Sequence, residues 1–278
     1  GVIGDPIEHS LSPPMQNAAF RELELDYAYL AFRVPKELLK SAILGMAGLG
    51  IVGLNVTIPH KLEVMKYLDH IDEDALLIGA VNTVVNRDGE LIGYNTDGIG
   101  AVEALERSGI QVKGKRIAIL GAGGGSRAVA FKLAESARSI TILNRTKSRA
   151  VALAKTLGKK RNVEVKADRL NDDTLATTLS EIDLLVNATS IGMWPNTGVS
   201  PIKKSLLPRG LTVFDIVYNP VQTQLLCDAS EKDCRVVEGV DMLVYQGAAA
   251  FELWTGTRAP IEAMRRAVMD NLRRKIKS

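Results

Sequence analysis

Arg116-Ile117-Ala118-Ile119-Leu120-Gly121-Ala122-Gly123-Gly124-Gly125-Ser126-Arg127-Ala128 runs from an apolar strand through a glycine turn into a helical pattern. Such a corner can hold a pyrophosphate, because backbone N–H groups and the positive helix end face the ligand. The next apolar run ends at Asn144-Arg145-Thr146, with Arg149 one turn further on. The tip of that second strand reads the adenine ribose. An NAD site usually carries a carboxylate there to accept from the 2′-hydroxyl. Here the tip carries arginine, so an extra anion is expected and the cofactor reads as NADP(H). The third slot of the glycine pattern holds Ser126, a side chain small enough for close helix–strand approach. A tight corner is the bland reading of a glycine turn alone. The strand, turn, helix, second strand and basic tip together favour the cofactor.

Working outward, the later half reads as repeated strand–helix units. Strands are expected at 116–120, 139–143, 163–166, 183–187, 212–216 and 235–238. Six of them joined by helices predict a doubly wound, Rossmann-like parallel sheet over residues 99–240. A helix near 98–108 bridges to an earlier region. There, strands are expected at 1–4, 27–34 and 51–57. One helix is expected from a Ser12 N-cap with Pro13 at the first helical position, and another from about Lys36 to Leu49. Arg87-Asp88-Gly89 between Val81–Asn86 and Glu90–Tyr94 is a hairpin signal. The helices from about 241 to 276 have no strand after them. They are expected to return to the first domain, which makes it discontinuous, 1–98 with 241–278. The fold class is α/β: a mixed substrate-binding domain plus a parallel-sheet NADP domain.

Composition bounds the rest. The 278 residues are 46% hydrophobic and 24% charged with a net charge of +3. That is an ordinary globular balance, suited to anionic small ligands and not to nucleic acid, which needs a concentrated basic stripe. No apolar run is long enough to span a bilayer, and no signal peptide is seen. Cys227 and Cys234 form no C-x-x-C pair, so free thiols in a reducing compartment, the cytoplasm, are expected. No spacing among His9, His60 and His70 suits a metal, and none is expected. Gly1-Val2-Ile3-Gly4 reads as the middle of a strand, so whether the chain is part of a longer polypeptide stays open. So does the oligomeric state, a homodimer included.

The chemistry lies in the first region. Gly53-Leu54-Asn55-Val56-Thr57-Ile58-Pro59-His60-Lys61 ends a buried strand, and a helix is expected after Pro59. Lys61 would then sit in a first helical turn, where the dipole lowers an amine pKa. Tyr94-Asn95-Thr96-Asp97-Gly98 supplies a carboxylate that would fix the amine. An amine so tuned exchanges a proton with a hydroxyl or carbonyl. Taken singly, Lys61 would be a surface lysine and Asp97 an N-cap. Asn82, in Gly79-Ala80-Val81-Asn82-Thr83, needs polar partners in its apolar setting.

Several segments occur in one order: His9-Ser10-Leu11-Ser12-Pro13, Asn55 to Lys61, Gly79 to Thr83, and Asn95 to Gly98. The glycine loop, Asn144-Arg145-Thr146, Asn187-Ala188-Thr189, Tyr218-Asn219-Pro220 and Gln246-Gly247-Ala248 follow. Over essentially the whole chain, this resembles the shikimate dehydrogenase family. Gly50-Ile51-Val52-Gly53 and Leu253-Trp254-Thr255-Gly256 resemble its archaeal members. The resemblance implies NADPH-dependent reversible reduction of 3-dehydroshikimate to shikimate, in aromatic amino acid biosynthesis. It implies that Lys61 and Asp97 form the catalytic pair and that Ser10 and Ser12 bind the substrate carboxylate. Thr57, Asn82 and Gln246 would hold ring hydroxyls, with Tyr218 near the carboxylate.

For the cofactor it implies a pyrophosphate cradle from Gly121, Ala122, Gly123, Gly124, Gly125 and Ser126 to Ala128. Asn144, Arg145, Thr146 and Arg149 would clamp the 2′-phosphate. Thr189 and Met193 would lie along the nicotinamide ribose. Val217 or Gly239 would offer backbone to the carboxamide, and Met242 would cover the ring. Core filling is an equal reading of Met193 and Met242. Gln16 stands where the family commonly has histidine. Two competing readings are a relative that also oxidises quinate, often with NAD, and a catalytically silent sensor. The basic strand tip argues against NAD, and the intact Lys–Asp pair argues against the sensor.

Overall fold

A computed structural model describes residues 1–277. They divide into two compact units: Gly1–Asp97 with the chain from Val244 onward, and Gly98–Leu243.

The first unit contains β1 (Val2–Gly4), α1 (Ser12–Glu22), β2 (Ala31–Arg33), α2 (Leu39–Gly48) and β3 (Gly53–Val56). It continues through β4 (His70–Ile71), α3 (Glu73–Ile78), β5 (Thr83–Arg87) and β6 (Glu90–Tyr94). The six strands form one mixed sheet in the order β2-β1-β3-β5-β6-β4. Its antiparallel centre is the predicted hairpin, with Asp88 and Gly89 both at positive φ, 52° and 97°. This left-handed pair is what a two-residue turn between right-twisted strands requires. Leu39, Ile43 and Met46 of α2 pack with Leu54 and Val56 of β3 and Val84 of β5 in one apolar cluster.

Three local expectations fail for identifiable reasons. Ser12 is the first helical residue of α1 and not its N-cap; Leu11 takes that place, because Met15 N donates to the Leu11 carbonyl. The Ser10 hydroxyl accepts from Ser12 N at 3.2 Å, so the serine that covers the helix start is Ser10. Pro13 accordingly stands second. The strand expected at 27–34 shrinks to three residues, since both backbone groups of Tyr29 are held by the Asn17 side chain at 2.8 and 2.9 Å. After Pro59 there is only a turn and a short 3₁₀ helix, Glu63–Tyr67. The Lys61 carbonyl accepts from Val81 N at 2.8 Å, which removes it from any α-helical ladder. Lys61 is therefore not in a first helical turn, and the dipole argument for it lapses.

The second unit opens with α4 (Asp97–Arg107), whose first residue closes the first unit. Its elements are β7 (Arg116–Leu120), α5 (Gly124–Leu133), β8 (Ser139–Asn144), α6 (Lys147–Lys160), β9 (Glu164–Arg169) and α7 (Asp172–Leu179). Then come β10 (Leu184–Asn187), β11 (Thr212–Asp215), α8 (Gln224–Ser230) and β12 (Arg235–Val237). The sheet is all parallel in the order β12-β11-β10-β7-β8-β9. The chain builds outward from β7 to β9, then restarts on the other side with β10. The direction of winding thus reverses between β7 and β10, and ligands of such sheets bind at the carboxyl ends there.

The chain leaves this unit through α9 (Gly239–Thr255) and ends with α10 (Ile261–Lys277). Within the first unit α10 packs on α1. On α9, Phe251 meets Phe20 at 5.4 Å and Trp254 meets Tyr29 at 5.9 Å between ring centroids.

Candidate active site

In the second unit the glycine turn sits at the switch point. Gly121 has φ +108°, and a Cβ there would lie 2.7 Å from the Ala188 carbonyl oxygen at the tip of β10. No other residue fits so close an approach at that backbone angle. Gly123, the N-cap of α5, is exposed with open space where a side chain would be. No side chain caps α5, so its first-turn N–H groups are left for a ligand, and a pyrophosphate fits that cradle. The Ser126 hydroxyl donates to the Gly121 carbonyl at 2.6 Å, so this side chain closes the loop itself. What Ser126 offers outward is backbone.

The β8 tip carries exposed Arg145 and Arg149 beside the start of α6. That helix has no side-chain cap and no acidic residue in its first turn. Asn144 Nδ2 donates to the Thr146 carbonyl at 2.9 Å and shapes the corner. Two guanidinium groups and a bare helix N-terminus suit a phosphate monoester.

The β10 and β11 tips are joined by a buried carboxylate. Asp215 accepts from Asn187 Nδ2 at 2.9 Å, Val217 N at 3.0 Å and Thr223 Oγ1 at 2.7 Å. Burial pushes its pKa up to about 6, against the three hydrogen bonds, which pull it down. Asn187 Oδ1 in turn accepts from both the backbone and the hydroxyl of Thr189. Gly239 passes so near that a Cβ would meet the Val217 oxygen at 2.5 Å. Met193 is exposed, which removes core filling as its explanation, whereas Met242 is buried. Burial also raises the Tyr218 pKa. Sequence reasoning missed Asp215; its signal was an acid ending an apolar strand, where it needs donors.

In the first unit the polar residues converge. Lys61 Nζ donates to Asp97 Oδ2 at 2.5 Å, and the side chains are 16% and 8% exposed. Asn82 Nδ2 donates to Asp97 Oδ1 at 2.7 Å, with Thr96 Oγ1 at 3.0 Å and Gln246 Oε1 at 3.4 Å. Asn82 Oδ1 accepts from Thr96 N at 2.8 Å. Asn95 holds the approach to α4, accepting from Asp97 N at 3.1 Å and donating to the Ala80 carbonyl at 2.8 Å. Lys61, Asn82, Asp97 and Gln246, separated widely in sequence, thus form one cluster. Thr57 directly follows β3, its methyl 2.5 Å from where a Cβ on Gly4 would lie. Ser10 and Ser12 stand together at the start of α1. Tyr218 belongs to the other unit. Among the described residues no His, Cys, Asp and Glu group could hold a metal ion.

Family models match in succession along the chain. The shikimate dehydrogenase substrate binding domain matches residues 2–84, and shikimate / quinate 5-dehydrogenase matches 103–217. The shikimate 5'-dehydrogenase C-terminal domain matches 239–269. The shikimate dehydrogenase (NADP(+)) of Methanocaldococcus jannaschii is 52% identical over 98% of this chain and 96% of its own. The chain belongs to the shikimate dehydrogenase family. Two solved members of the family share its fold. One, a shikimate dehydrogenase in complex with NADP+, gives a TM-score of 0.91 at 49% identity, over 98% of this chain and 94% of its own. The other, from Thermus thermophilus in complex with NADP(H) and shikimate, gives 0.88 at 38% identity, over 97% of each.

Proposed function

We propose that Lys61 is the general acid that protonates a substrate carbonyl oxygen, and the general base for the reverse step. The chain is an NADP(H)-dependent shikimate dehydrogenase-family enzyme that interconverts 3-dehydroshikimate and shikimate, a step towards the aromatic amino acids. The observation that carries the catalytic reading is the Lys61–Asp97 contact at 2.5 Å, inside a ring of amide and hydroxyl groups. NADPH, when bound, supplies the hydride. Charge then develops on the carbonyl oxygen, and an ammonium within hydrogen-bond reach neutralises it by proton transfer. Asp97 holds that ammonium in place through Oδ2 while Asn82 holds Asp97 through Oδ1. Asn82, Thr57 and Gln246 suit ring hydroxyls, and the Ser10 and Ser12 hydroxyls suit a carboxylate. Gly121 to Ser126 would hold the pyrophosphate by backbone. Arg145 and Arg149, with Asn144 and Thr146, would hold the 2′-phosphate. Thr189, Met193, Val217, Gly239 and Met242 are proposed for the nicotinamide side.

The working compartment proposed is the cytoplasm, which suits the free thiols of Cys227 and Cys234. The partners proposed are small molecules alone, without nucleic acid or membrane, and light scattering decides between monomer and homodimer. Among the described residues no helix is long and apolar enough to cross a membrane.

The test is absorbance at the reduced-nicotinamide band with shikimate and NADP⁺, and with quinate and NAD⁺ in parallel. A rise with shikimate and NADP⁺ alone supports the reading and its cofactor choice. No rise anywhere, from folded protein that still binds NADP⁺, leaves Lys61 and Asp97 without the role given them.

A further inference from the structure

Behind the Lys61–Asp97 pair lies a buried chain of hydrogen bonds that none of the site residues above accounts for. It begins at Tyr29, 2% exposed, whose hydroxyl donates to Asn55 Oδ1 at 2.6 Å. Asn55 Nδ2 then faces the Thr83 hydroxyl at 3.1 Å and the Asn82 carbonyl at 3.2 Å. Thr83 Oγ1, already accepting from Asn55, donates its single proton to Asn82 Oδ1 at 2.9 Å. Every member is buried and every step has one direction. A phenol has one proton, an amide has one donor end and one acceptor end, and a hydroxyl has one proton. Two backbone groups fix the order: Thr96 N can only donate, which makes Asn82 Oδ1 the acceptor, and the Asn82 carbonyl can only accept, which turns Nδ2 of Asn55 towards it; the Thr83 and Tyr29 hydroxyls donate accordingly. If Asn55 turned over, its amide would face the Tyr29 hydroxyl, and Thr83 would lose its donor.

The last link bears on the chemistry. With its oxygen held by Thr83 and by Thr96 N, Asn82 presents Nδ2 to Asp97 Oδ1. The opposite orientation would set an amide oxygen against a carboxylate. Asp97 then has Oδ1 engaged by Asn82 and Oδ2 engaged by Lys61. We propose that Tyr29, with Asn55 and Thr83, is a positioning relay that braces Asn82 in the orientation Thr96 N gives it, and so holds Asp97 and Lys61 in register with the substrate carbonyl. This rests on the catalytic reading of Lys61 and Asp97 given above. Tyr29, Asn55 and Thr83 touch neither substrate nor cofactor in this scheme. Asn55 and Thr83 act through Asn82; Tyr29 does so too and is also hydrogen-bonded by the Ser12 side chain.

The relay is tested by steady-state kinetics of the full chain with shikimate and NADP⁺. Tyr29→Phe removes one oxygen and keeps the ring against Trp254. Thr83→Val removes the hydroxyl at nearly constant shape, and Thr83→Ser restores it. Tyr29→Phe and Thr83→Val are each expected to lower kcat about tenfold, the scale of one buried hydrogen bond, with KM for NADP⁺ unchanged. Thr83→Ser is expected to recover most of the loss. The double variant is expected to lose less than the product of the two single losses, because both break the same chain. Should Tyr29→Phe fail to fold, the Thr83→Val and Thr83→Ser pair carries the test. A kcat within about twofold of wild type for Thr83→Val, or a Thr83→Ser variant as impaired as Thr83→Val, overturns the relay. Lys61→Ala, measured alongside, separates the two claims. If Lys61→Ala retains turnover, the catalytic reading and the relay both fall; if it is inactive while Tyr29→Phe and Thr83→Val are normal, only the relay falls.

Discussion

Lys61 and Asp97 lie 36 positions apart in sequence, yet the lysine amine donates to the carboxylate at 2.5 Å with both side chains mostly shielded from water. Shielding strengthens the pair, and the second Asp97 oxygen is occupied by Asn82. The amine is thereby held at one point, as the proposed proton transfer requires. Lys61→Ala is expected to lower kcat by on the order of 10² to 10⁴, the usual weight of a positioned acid or base. NADPH binding, followed by fluorescence titration, is expected to stay largely intact, because the glycine turn and Arg145 belong to the other compact unit. A large loss of NADPH affinity would contradict that division of roles.

Arg145 supplies the second prediction. It is exposed at the β8 tip beside a helix start free of acidic residues. Arg145→Asp replaces the phosphate partner proposed above with a repulsive charge. NADPH affinity is expected to fall about tenfold or more, with NADH affinity nearly unchanged. Equal losses for the two nucleotides would show that the 2′-phosphate is held elsewhere.

Much of this was legible in the sequence where a local rule decides the geometry. Asp88-Gly89 specified the hairpin because both residues take positive φ, and Gly121 specified the corner because a side chain would strike Ala188. The six parallel strands followed from apolar runs spaced by helices. What stayed illegible depends on partners distant in sequence. The helix expected after Pro59 is cut short by a hydrogen bond from Val81 to the Lys61 carbonyl. The strand at 27–34 is shortened by the Asn17 side chain. Two-residue β4 carries no apolar alternation and exists only by pairing with β6. Asn55 and Thr83 stood inside segments read for other residues. Their signal was weak, since a buried amide announces a need for partners without naming them.

Two glycines that look alike in sequence should respond differently to a methyl group. A Cβ on Gly53 would fall 2.0 Å from Trp254 Nε1, and that nitrogen donates to the Val84 carbonyl at 3.0 Å. The indole is rigid and bonded, so it cannot yield without losing the bond. A Cβ on Gly247 would meet Met15 Cε at 2.2 Å, the end of a flexible side chain. Gly53→Ala is expected to cost about 2 kcal/mol or more, and Gly247→Ala less. Urea denaturation of the two variants checks the order. A Gly247→Ala variant less stable than Gly53→Ala would show that the Trp254 contact is not the tighter one.

Asp215 sets a pH dependence whose sign follows from its burial. Its pKa rises from 3.8 to about 6 in the folded chain because its carboxylate is buried, despite three donors. Between those values the folded state binds more protons than the unfolded state, so stability falls as pH rises. The favourable contribution is full below about pH 3.8 and is lost as pH passes about 6. The interval corresponds to about 3 kcal/mol. Asp215→Asn keeps an acceptor for Val217 N or Thr223 Oγ1 but does not ionise, so it removes the dependence. Unfolding free energies of wild type and Asp215→Asn, measured from pH 4 to pH 7.5, are expected to differ by an amount that shifts in favour of the variant as pH rises to about 6 and levels off above it. Subtracting the two cancels the groups they share, so the slope belongs to Asp215. A difference that stays flat across that range would mean Asp215 remains ionised in the folded chain. Its three donors would then outweigh its burial, and the tips of β10 and β11 would be held by a charge at all working pH values.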